Sequence, residues 1–300
     1  MKKYLLLPHI KIQRANALSS SYTVGFPAMT AWMGAVHFLE RKIRAVNGLE
    51  NIRFPCMGVS CFRYRLHVFK EQKNMPSSIV GMAYPDPKTG ESTSFIEMPV
   101  IDLEVSILIE CQGISGDNEE VFKERVTACL HSMKIAGGDI WDFGTPCIYY
   151  LLDEDDRIRR KLIRKLMPGY VLVERRDVLI ERMKTEQSSL EALMDVLAVH
   201  CGSSCGNSME SEKQKPKKRT LEKFVPVAVG FHGITQLGHV KGQRDPSSDH
   251  CFAESVVTLG EFIMPYQLDY IDDMMWHYAY KADMQMYVCQ NQNISEDYHG

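Results

Sequence analysis

The sequence predicts an α+β fold in which an antiparallel sheet carries helices on one face. Three observations favour this class. Segments with the two-residue period of a strand alternate with segments that have the period of a helix, in the order β-α-β-β-α-β. One turn-rich excursion interrupts that order, and the second half of the chain is less regular. With 300 residues and 45% hydrophobic content, the chain suits one large domain or two modest ones.

The first strand and the first helix are predicted near the N-terminus. The strand covers residues 4–14 and the helix covers residues 28–46. The apolar side chains that recur at the spacing of one helix face are Trp32, Val36, Leu39 and Ile43. Gly48 follows this stripe and indicates where the helix ends.

The next two strands are predicted at residues 56–70 and 100–111, and each alternates with period two. In the first of them, one face is apolar: Phe62, Tyr64, Leu66 and Val68. Its other face is basic: Arg63, Arg65 and His67. In the second strand, the inward side chains are Leu103, Val105, Ile107 and Ile109. Its other face carries Asp102, Glu104 and Glu110, which fit a solvated strand face, partners for the arginine row, or a Mg²⁺ site.

A second helix is predicted over residues 118–138, with acidic residues in its first turn and Gly137-Gly138 at its end. Its apolar stripe is Val121, Phe122, Val126, Cys129, Leu130 and Met133. A last strand follows at about 140–152. This order is typical of a ferredoxin-like or RNA-recognition-type domain, in which the sheet face opposite the helices is free. We therefore predict such a domain over residues 1–152.

The C-terminal region, residues 153–300, is predicted to be α/β. A basic helix within 157–175 is followed by Pro168-Gly169 and a strand, and a helix is predicted at 190–200. The stretch at about 201–222 is rich in Gly, Ser and Lys and is predicted to be a mobile linker. A strand at 224–237 and a closing helix at 259–280 complete the region. The closing helix is expected to carry Leu268, Ile271, Met275 and Tyr278 on one side.

Composition and the lack of targeting patterns argue against several classes of protein. The net charge of −3 argues against a general polyanion binder, so nucleic acid would have to be held by local basic patches. No apolar run approaches the roughly 20 residues of a membrane span, and the N-terminus lacks the pattern of a signal peptide. The nine cysteines are scattered in apolar segments and are expected to be reduced thiols of a cytoplasmic protein.

Two basic runs are candidate phosphate contacts. Residues 157–165 hold six Arg or Lys in nine, after the acidic DEDD at 153–156. That order fits either complementarity to the helix dipole or phosphate binding through residues such as Arg160 and Arg164. Residues 213–219 hold five basic residues in seven within the predicted linker. They favour either a solvated run or an arm that gathers nucleic acid.

Metal and catalytic motifs are weak. His200-Cys201 with Cys205 and His250-Cys251 lack the spacing of a zinc site. A metal-free ribonuclease would need a general acid and base, for which His37 and His67 are candidates. We expect no metal, no cofactor and no catalytic residue.

A polar tract, ANALSSSYTVGFP at residues 15–27, joins the first strand to the first helix. Asn and Ser bond to their own backbone and favour turns, which is one interpretation of Asn16, Ser19, Ser20 and Ser21. The other interpretation is a nest of donors that holds phosphate near a helix N-terminus.

Several segments together resemble a known family, the second Csy subunit (Cas5-type RAMP protein) of type I-F CRISPR surveillance complexes. They cover nearly the whole chain in family order: residues 5–41 with QRANALSSSYTVGFP, DLEVSILIE at 102–110, MKIAGG at 133–138, RRKLIRKLMPGYVLVERRDVL at 159–179, and a C-terminal block from GFHGI to LGEFIMP. The variable parts are the excursion at 71–100 and the stretch at 201–222.

The resemblance implies a ferredoxin-like RAMP domain with a thumb at about 71–100. It implies a non-catalytic role in antiviral defence: the subunit binds the 5′ handle of CRISPR RNA and pairs with the large subunit of the Csy (Cascade) complex. The resemblance also implies that the subunit contacts the first backbone subunit and interacts with double-stranded target DNA through the complex. The alternative is a metal-independent endoribonuclease that processes CRISPR repeat RNA.

The resemblance and the basic rows together place RNA contacts at sixteen residues. They are Gln13, Arg14, Asn16, Ser19, Ser20, Ser21, Arg63, Arg65, Met82, Tyr84, Lys88, Arg160, Arg164, His232, Lys241 and Arg244. In the thumb, Met75, Met82 and Tyr84 are expected to stack on or wedge beside a guide nucleotide. The thumb has less Arg than the family pattern leads us to expect.

Overall fold

The structure is a computed structural model that describes residues 1–70, 78–82, 85–86, 88–91, 94, 96–152, 156–184, 188–197 and 224–291. Its strands are β1 Lys2–Asn16, β2 Leu18–Ser20, β3 Thr23–Val24, β4 Met57–Leu66, β5 Val68–Phe69, β6 Ser78–Ile79, β7 Gly81–Met82, β8 Ile96–Glu97, β9 Val100–Glu110, β10 Lys134–Ile135, β11 Gly138–Asp142, β12 Cys147–Leu151, β13 Tyr170–Glu174, β14 Phe224–Gly233, β15 Ala253–Ile263, β16 His277–Lys281 and β17 Met286–Gln290. Its α-helices are α1 Met29–Arg44, α2 Glu119–Leu130, α3 Asp156–Leu166, α4 Arg176–Met183 and α5 Ser189–Leu197.

Eleven of the described strands form one sheet in the order β10-β11-β1-β9-β4-β13-β15-β14-β17-β16, with β12 also paired to β1. Every neighbouring pair is antiparallel. Strands β1 and β4 therefore run in the same direction, with β9 between them. The α+β prediction is confirmed, and the sheet continues from the predicted N-terminal region into the C-terminal one.

Helix α1 forms the centre of the main core, and the sheet curls around it, since α1 contacts β10 at one end of the strand order and β14 and β17 near the other. The predicted stripe is confirmed, since Trp32, Val36, Leu39 and Ile43 are all buried. Apolar side chains from β13, β14 and β17 belong to the same cluster as those from β1 and β9. Burying one large apolar side chain contributes about 1.5–3 kcal/mol, so the buried face of α1 stabilises the packing of both halves of the sheet.

No helix among the described residues is long and apolar enough to span a membrane.

A second apolar cluster covers part of the opposite sheet face. Leu162 and Leu166 of α3 pack there against Tyr4, Leu6 and Leu108. This explains why both faces of β1 are buried over its first half, whereas His9 and Gln13 further along are exposed. The rest of this face, beyond α3, is free, and we call it the open sheet face: His9, Lys11, Gln13, Phe62, Arg63, Arg65, Asp102, Glu104 and Trp141.

Two bulges shape β1, because its register with β9 shifts between Leu7 and Ile10 and between Ile12 and Ala15. A residue at positive φ lies in each shift, His9 at 50° and Arg14 at 56°. The amides released by the bulges find side-chain acceptors on β9: His9 N–H donates to Ser106 Oγ (3.0 Å) and Arg14 N–H donates to Asp102 Oδ1 (3.0 Å). A bulge that is satisfied in this way redirects side chains without leaving a buried donor unpaired.

The apolar face predicted for residues 56–70 is partly wrong. The register between β4 and β9 shifts between Cys61 and Arg63, and Tyr64 is 71% exposed. The extra residue in a bulge breaks the two-residue period on which the prediction rested. The inward residues predicted for β9, Leu103 to Ile109, are confirmed as buried.

The second predicted helix is too long. Helix α2 ends at Leu130, and a hairpin of β10 and β11 follows, with Ala136 (φ 49°) and Gly137 (φ 75°) in its turn. A turn with two consecutive positive φ values suits a tight hairpin, and glycine adopts such a value without strain. Val121 of the predicted stripe is 49% exposed. The last strand, predicted at about 140–152, is split into β11 and β12, which both pair with β1.

The predicted closing helix at 259–280 is wrong. Strand β15 continues to Ile263, two 3-10 turns follow at Pro265–Gln267 and Ile271–Met274, and Tyr278 lies in β16. The apolar residues Leu268, Ile271 and Met275 are still buried, and they belong to the second apolar cluster, although only Ile271 lies within a 3-10 turn. Apolar residues at spacings of three and four therefore did not require an α-helix.

The segment predicted to form the thumb, at about 71–100, is described only in part. Strand β5 pairs with β6 and β7 with β8 in two-residue ladders. Met75 and Tyr84 lie outside the described residues, as does the side chain of Met82, and so does the predicted linker at about 201–222. Lys88 is exposed in a turn in which its amide donates to Asp86 Oδ1 (2.7 Å).

Candidate nucleic-acid interface

A cavity of about 600 Å³ lies where the polar tract meets the start of α1. Asn16, Ser19, Ser20 and Ser21 line one side. The other sides come from the first turn of α1, the β10–β11 hairpin turn and a cross-strand pair of β14 and β15. We call this the tract cavity. The structure thus brings together the four tract residues that the sequence singled out.

Most polar side chains of the tract bond within their own hairpin. The Asn16 side chain accepts from the Leu18 amide (3.0 Å), and Ser19 and Ser20 both hydrogen-bond the Thr23 hydroxyl (2.9 and 2.6 Å). These contacts are turn chemistry, as the first interpretation predicted. Ser21 is exposed, and among the described residues no hydrogen bond of its side chain is found.

The start of α1 is the part of the tract cavity that suits an anion. The N-cap is Ala28, whose side chain offers no acceptor, and the first turn contains no acidic residue. In the described part of the chain, no acceptor contacts the amides of Met29 and Thr30. Free amides and the positive end of a helix dipole favour a negatively charged group at this position.

Phe231 of β14 is a cavity residue that the sequence analysis missed. It is 46% exposed and lies opposite Ser255 of β15, which also lines the tract cavity. The Tyr22 hydroxyl donates to the Ser255 carbonyl (3.3 Å), which ties the tract to β15. The register of β14 shifts between Ala228 and Gly230, so strand alternation does not predict the direction of Phe231. The glycine that precedes an aromatic residue was the available signal.

Predicted site residues outside the cavity are more scattered. His232, next to Phe231, contacts Glu254 through Nδ1 (3.3 Å). Lys241 and Arg244 are exposed in the loop between β14 and β15. On α3, Arg160 pairs with Asp156 (3.1 Å), as dipole complementarity predicts, and Arg164 is exposed in the last turn.

The arginine row lies on the open sheet face, with Arg63 opposite Glu104 and Arg65 opposite Asp102. These carboxylates have other partners too: Glu104 contacts His9 Nδ1 (3.0 Å), and Asp102 contacts His67 Nε2 (2.8 Å). Gln13 and Arg14 are exposed on the neighbouring strand. Glu110 is distant from this group in the strand and lies 4.0 Å from Lys2 Nζ. Asp102 and Glu104 therefore lie opposite the arginine row, but their close contacts among the described residues are to His67 and His9.

Residues considered for metal binding or catalysis do not converge. Among the described residues, no group of three or more His, Cys, Asp and Glu side chains is arranged to hold a metal ion. His250 and Cys251 are described, whereas His200, Cys201 and Cys205 lie outside the described residues. His37 packs edge-on against Tyr278 (4.5 Å between centroids), whereas His67 Nε2 contacts Asp102 Oδ2 (2.8 Å). The seven described cysteines are free, as expected.

Asp102 joins three elements, and its ionised form is favoured. Partial burial raises the pKa of its carboxyl. Hydrogen bonds from the Arg14 amide and His67, together with the charge of Arg65, lower this pKa by more than burial raises it, so the net pKa is below the ordinary value. A depressed pKa means that Asp102 stabilises the fold above about pH 3.9, the unfolded value, and that this contribution is lost as pH falls further.

We expect Asp102→Asn to lower the free energy of unfolding by about 1 kcal/mol at pH 7, because the side chain is partly exposed and its charge is screened. The difference from wild type should shrink below about pH 3.9. Denaturant unfolding at pH 7 and at pH 3 checks this, with Asp117→Asn at an exposed site as the control. A deficit that stays constant between the two pH values would contradict it.

Two comparisons with known proteins identify the family of the chain. The chain matches the family model described as CRISPR-associated protein (Cas_Csy2) over residues 5–289. It is similar to the CRISPR-associated protein Csy2 of Pseudomonas aeruginosa (strain UCBPP-PA14), with 28% identity over 310 residues that span 94% of this chain and 93% of that protein. The chain therefore belongs to the Cas_Csy2 family of CRISPR-associated proteins, which confirms the expected Csy subunit of a type I-F CRISPR system.

Proposed function

We propose that this protein is a non-catalytic, RNA-binding subunit of the type I-F Csy (Cascade) complex, acting in antiviral defence in the cytoplasm. In this proposal it binds the 5′ handle of CRISPR RNA, pairs with the large subunit, and contacts the first backbone subunit. Target double-stranded DNA is reached through the assembled complex. No metal and no cofactor take part.

The observation that carries the RNA-binding part is the tract cavity. It combines free amides at a helix start with an exposed aromatic ring, Phe231. Free amides suit a backbone phosphate, and an aromatic ring suits an unstacked base. A nucleotide contains both a phosphate and a base, and the cavity volume of about 600 Å³ leaves room for a nucleotide.

The strand order supports a ferredoxin-like RAMP domain. β11 and β12, β1, β9 and β4 are adjacent in that order, and α1 and α2 pack on the same side of β1 and β9. A split β-α-β unit with one antiparallel strand inserted between its parallel strands is the arrangement of that fold. The open sheet face is then the second surface available to RNA.

The experiment that tests the proposal is co-expression of the chain with the large subunit and a CRISPR repeat-spacer RNA, followed by tagged pull-down and sequencing of the RNA ends. We expect a heterodimer that carries RNA with an intact 5′ handle. Recovery of the chain alone, with RNA cut within the repeat in the presence of EDTA, would contradict the proposal and support the endoribonuclease alternative. His37→Ala and His67→Ala would then be the first variants.

We expect Phe231→Ala to weaken binding of the full chain to the 5′-handle RNA by about 5- to 100-fold, because a stacked base contributes about 1–3 kcal/mol. The measurement is fluorescence anisotropy of labelled RNA. Phe252→Ala is the matched control, since Phe252 is 59% exposed in the same part of the chain but does not line the tract cavity. Equal loss in both variants would argue against a base on Phe231.

A further inference from the structure

We propose that Trp141, on the open sheet face, is a stacking platform for a base of single-stranded RNA. This inference rests on the proposed function, because it assigns a second contact to the RNA strand that reaches the tract cavity. Neither the polar tract nor the basic rows of the sequence pointed to this residue.

Trp141 is unusual among the tryptophans of the chain. It is 60% exposed, whereas Trp32 and Trp276 are completely buried. The register between β1 and β11 shifts at Trp141, because Ile12 pairs with Ile140 and Lys11 pairs with Asp142, so strand alternation does not give its direction. The contact with the Lys11 ammonium places the indole on the face that carries Lys11. An indole held by a paired strand of the sheet, with most of its surface in water, presents a large flat ring at little cost in conformational entropy.

The Lys11 side chain contacts both the Trp141 ring and the neighbouring Asp142 carboxylate. Its ammonium lies 5.3 Å from the centroid of the Trp141 ring and 2.7 Å from Asp142 Oδ2. The ion pair raises the pKa of Lys11 and lowers the pKa of Asp142, so both groups stay charged at neutral pH. A cation over one face of the ring also attracts the phosphate of a nucleotide whose base stacks on the other face.

The open sheet face carries cations close to Trp141. Lys11 lies beside the ring, and Arg63 and Arg65 are on the same face, opposite Glu104 and Asp102. No salt bridge of either guanidinium group is found among the described residues, so both can turn towards a phosphate. Lys and Arg side chains near a stacking ring are what a phosphate backbone requires of its binding surface.

The same hairpin connects Trp141 to the tract cavity. Ala136 and Gly137 in the β10–β11 turn line the cavity, and Trp141 is four residues further along the strand. At about 3.3 Å per residue, the two places are about 13 Å apart. An extended single strand that leaves the cavity along this edge reaches the indole within a few nucleotides.

The test uses the intrinsic fluorescence of the full chain. Since Trp141 is the exposed member of the three tryptophans, a base stacked on it should quench the exposed component of the emission. We expect short 5′-handle RNA to cause this quenching in wild type and not in Trp141→Phe, which keeps a ring and most of the affinity. Trp141→Ala should bind the RNA about 5- to 100-fold more weakly.

A matched control and the thermal stability of each variant separate stacking from misfolding. Tyr266→Ala removes an aromatic ring of similar exposure (61%) elsewhere on the surface and should leave both signals unchanged. RNA that binds equally well to Trp141→Ala, without quenching in wild type, overturns this inference and leaves the proposed function standing. Absence of RNA binding in wild type overturns both. Unchanged RNA affinity of Trp141→Ala with loss of another Csy subunit in pull-down assigns the indole to a protein partner and also overturns the inference.

Discussion

Replacing Ala28 by Asp should stabilise the isolated protein and nearly abolish its binding to 5′-handle RNA. Ala28 is the N-cap of α1, has extended backbone angles (φ −54°, ψ 141°) and offers no side-chain acceptor. An Asp there would accept from the free amides of the first turn and add about 1 kcal/mol to the free energy of unfolding. Its carboxylate would occupy the place that we assign to a phosphate.

The loss of binding should be large because two effects add. The amides that would hold the phosphate become occupied, and two negative charges about 4 Å apart repel by roughly 4 kcal/mol at an effective dielectric constant of 20. We therefore expect affinity to fall more than about a hundredfold. The measurements are fluorescence anisotropy with labelled RNA and denaturant unfolding of the same preparations.

Ala28→Asn is the matched control, since it also caps the helix but adds no charge. It should gain similar stability and lose much less affinity. If Ala28→Asp becomes more stable and still binds RNA as tightly as wild type, the start of α1 is not the phosphate site. If both variants lose affinity equally, steric filling of the tract cavity explains the result and the charge argument fails.

Replacing Trp276 by Ala should lower the free energy of unfolding by about 3–5 kcal/mol. The side chain is fully buried in the main core, and its Nε1–H donates to the Leu172 carbonyl (3.0 Å). Its backbone exchanges hydrogen bonds with Met57 at the start of β4. Trp276 thus connects the C-terminal segment to both β13 and the N-terminal strands. Typical domains have only about 5–15 kcal/mol in total, so such a loss should leave the variant largely aggregated or unfolded at 37 °C.

Trp276→Phe separates packing from hydrogen bonding. It keeps most of the buried ring but leaves the Leu172 carbonyl without its donor, which should cost about 1–3 kcal/mol. Urea unfolding followed by circular dichroism gives the free energies. Limited proteolysis reports the N-terminal region separately.

The same experiment tests the predicted division at residues 152 and 153. Because one sheet runs through both regions, we expect the Trp276 variants to destabilise the N-terminal region together with the C-terminal one, in a single transition. Two transitions, with residues 1–152 unaffected, would contradict this and favour two independently folding domains.

Local patterns in the sequence were sufficient for the elements whose neighbours are close in the chain. The stripe of α1, the inward residues of β9, the amphipathic α3 and the turn chemistry of Asn16 and Ser20 follow from spacing and side-chain type. A helix face or a tight turn is satisfied within a few residues, so its signal is present in the sequence. The family-specific segments likewise led to the Csy assignment before any contact was known.

Other features depend on contacts between distant segments. Bulges in β1, β4 and β14 shift side chains relative to the two-residue period, which is why Tyr64 is exposed and the direction of Phe231 was not predicted. The closing segment buries its apolar residues in the second apolar cluster through turns and short strands, so their helix-like spacing did not lead to an α-helix. The tract cavity exists only because the sheet curls around α1 and brings β14 and β15 to the polar tract. The sequence alone thus determined the family and the β-α-β-β-α-β order of the N-terminal region. The tertiary structure determined which side chains contact each other, since a bulge or a curled sheet is stabilised by partners far away in the chain.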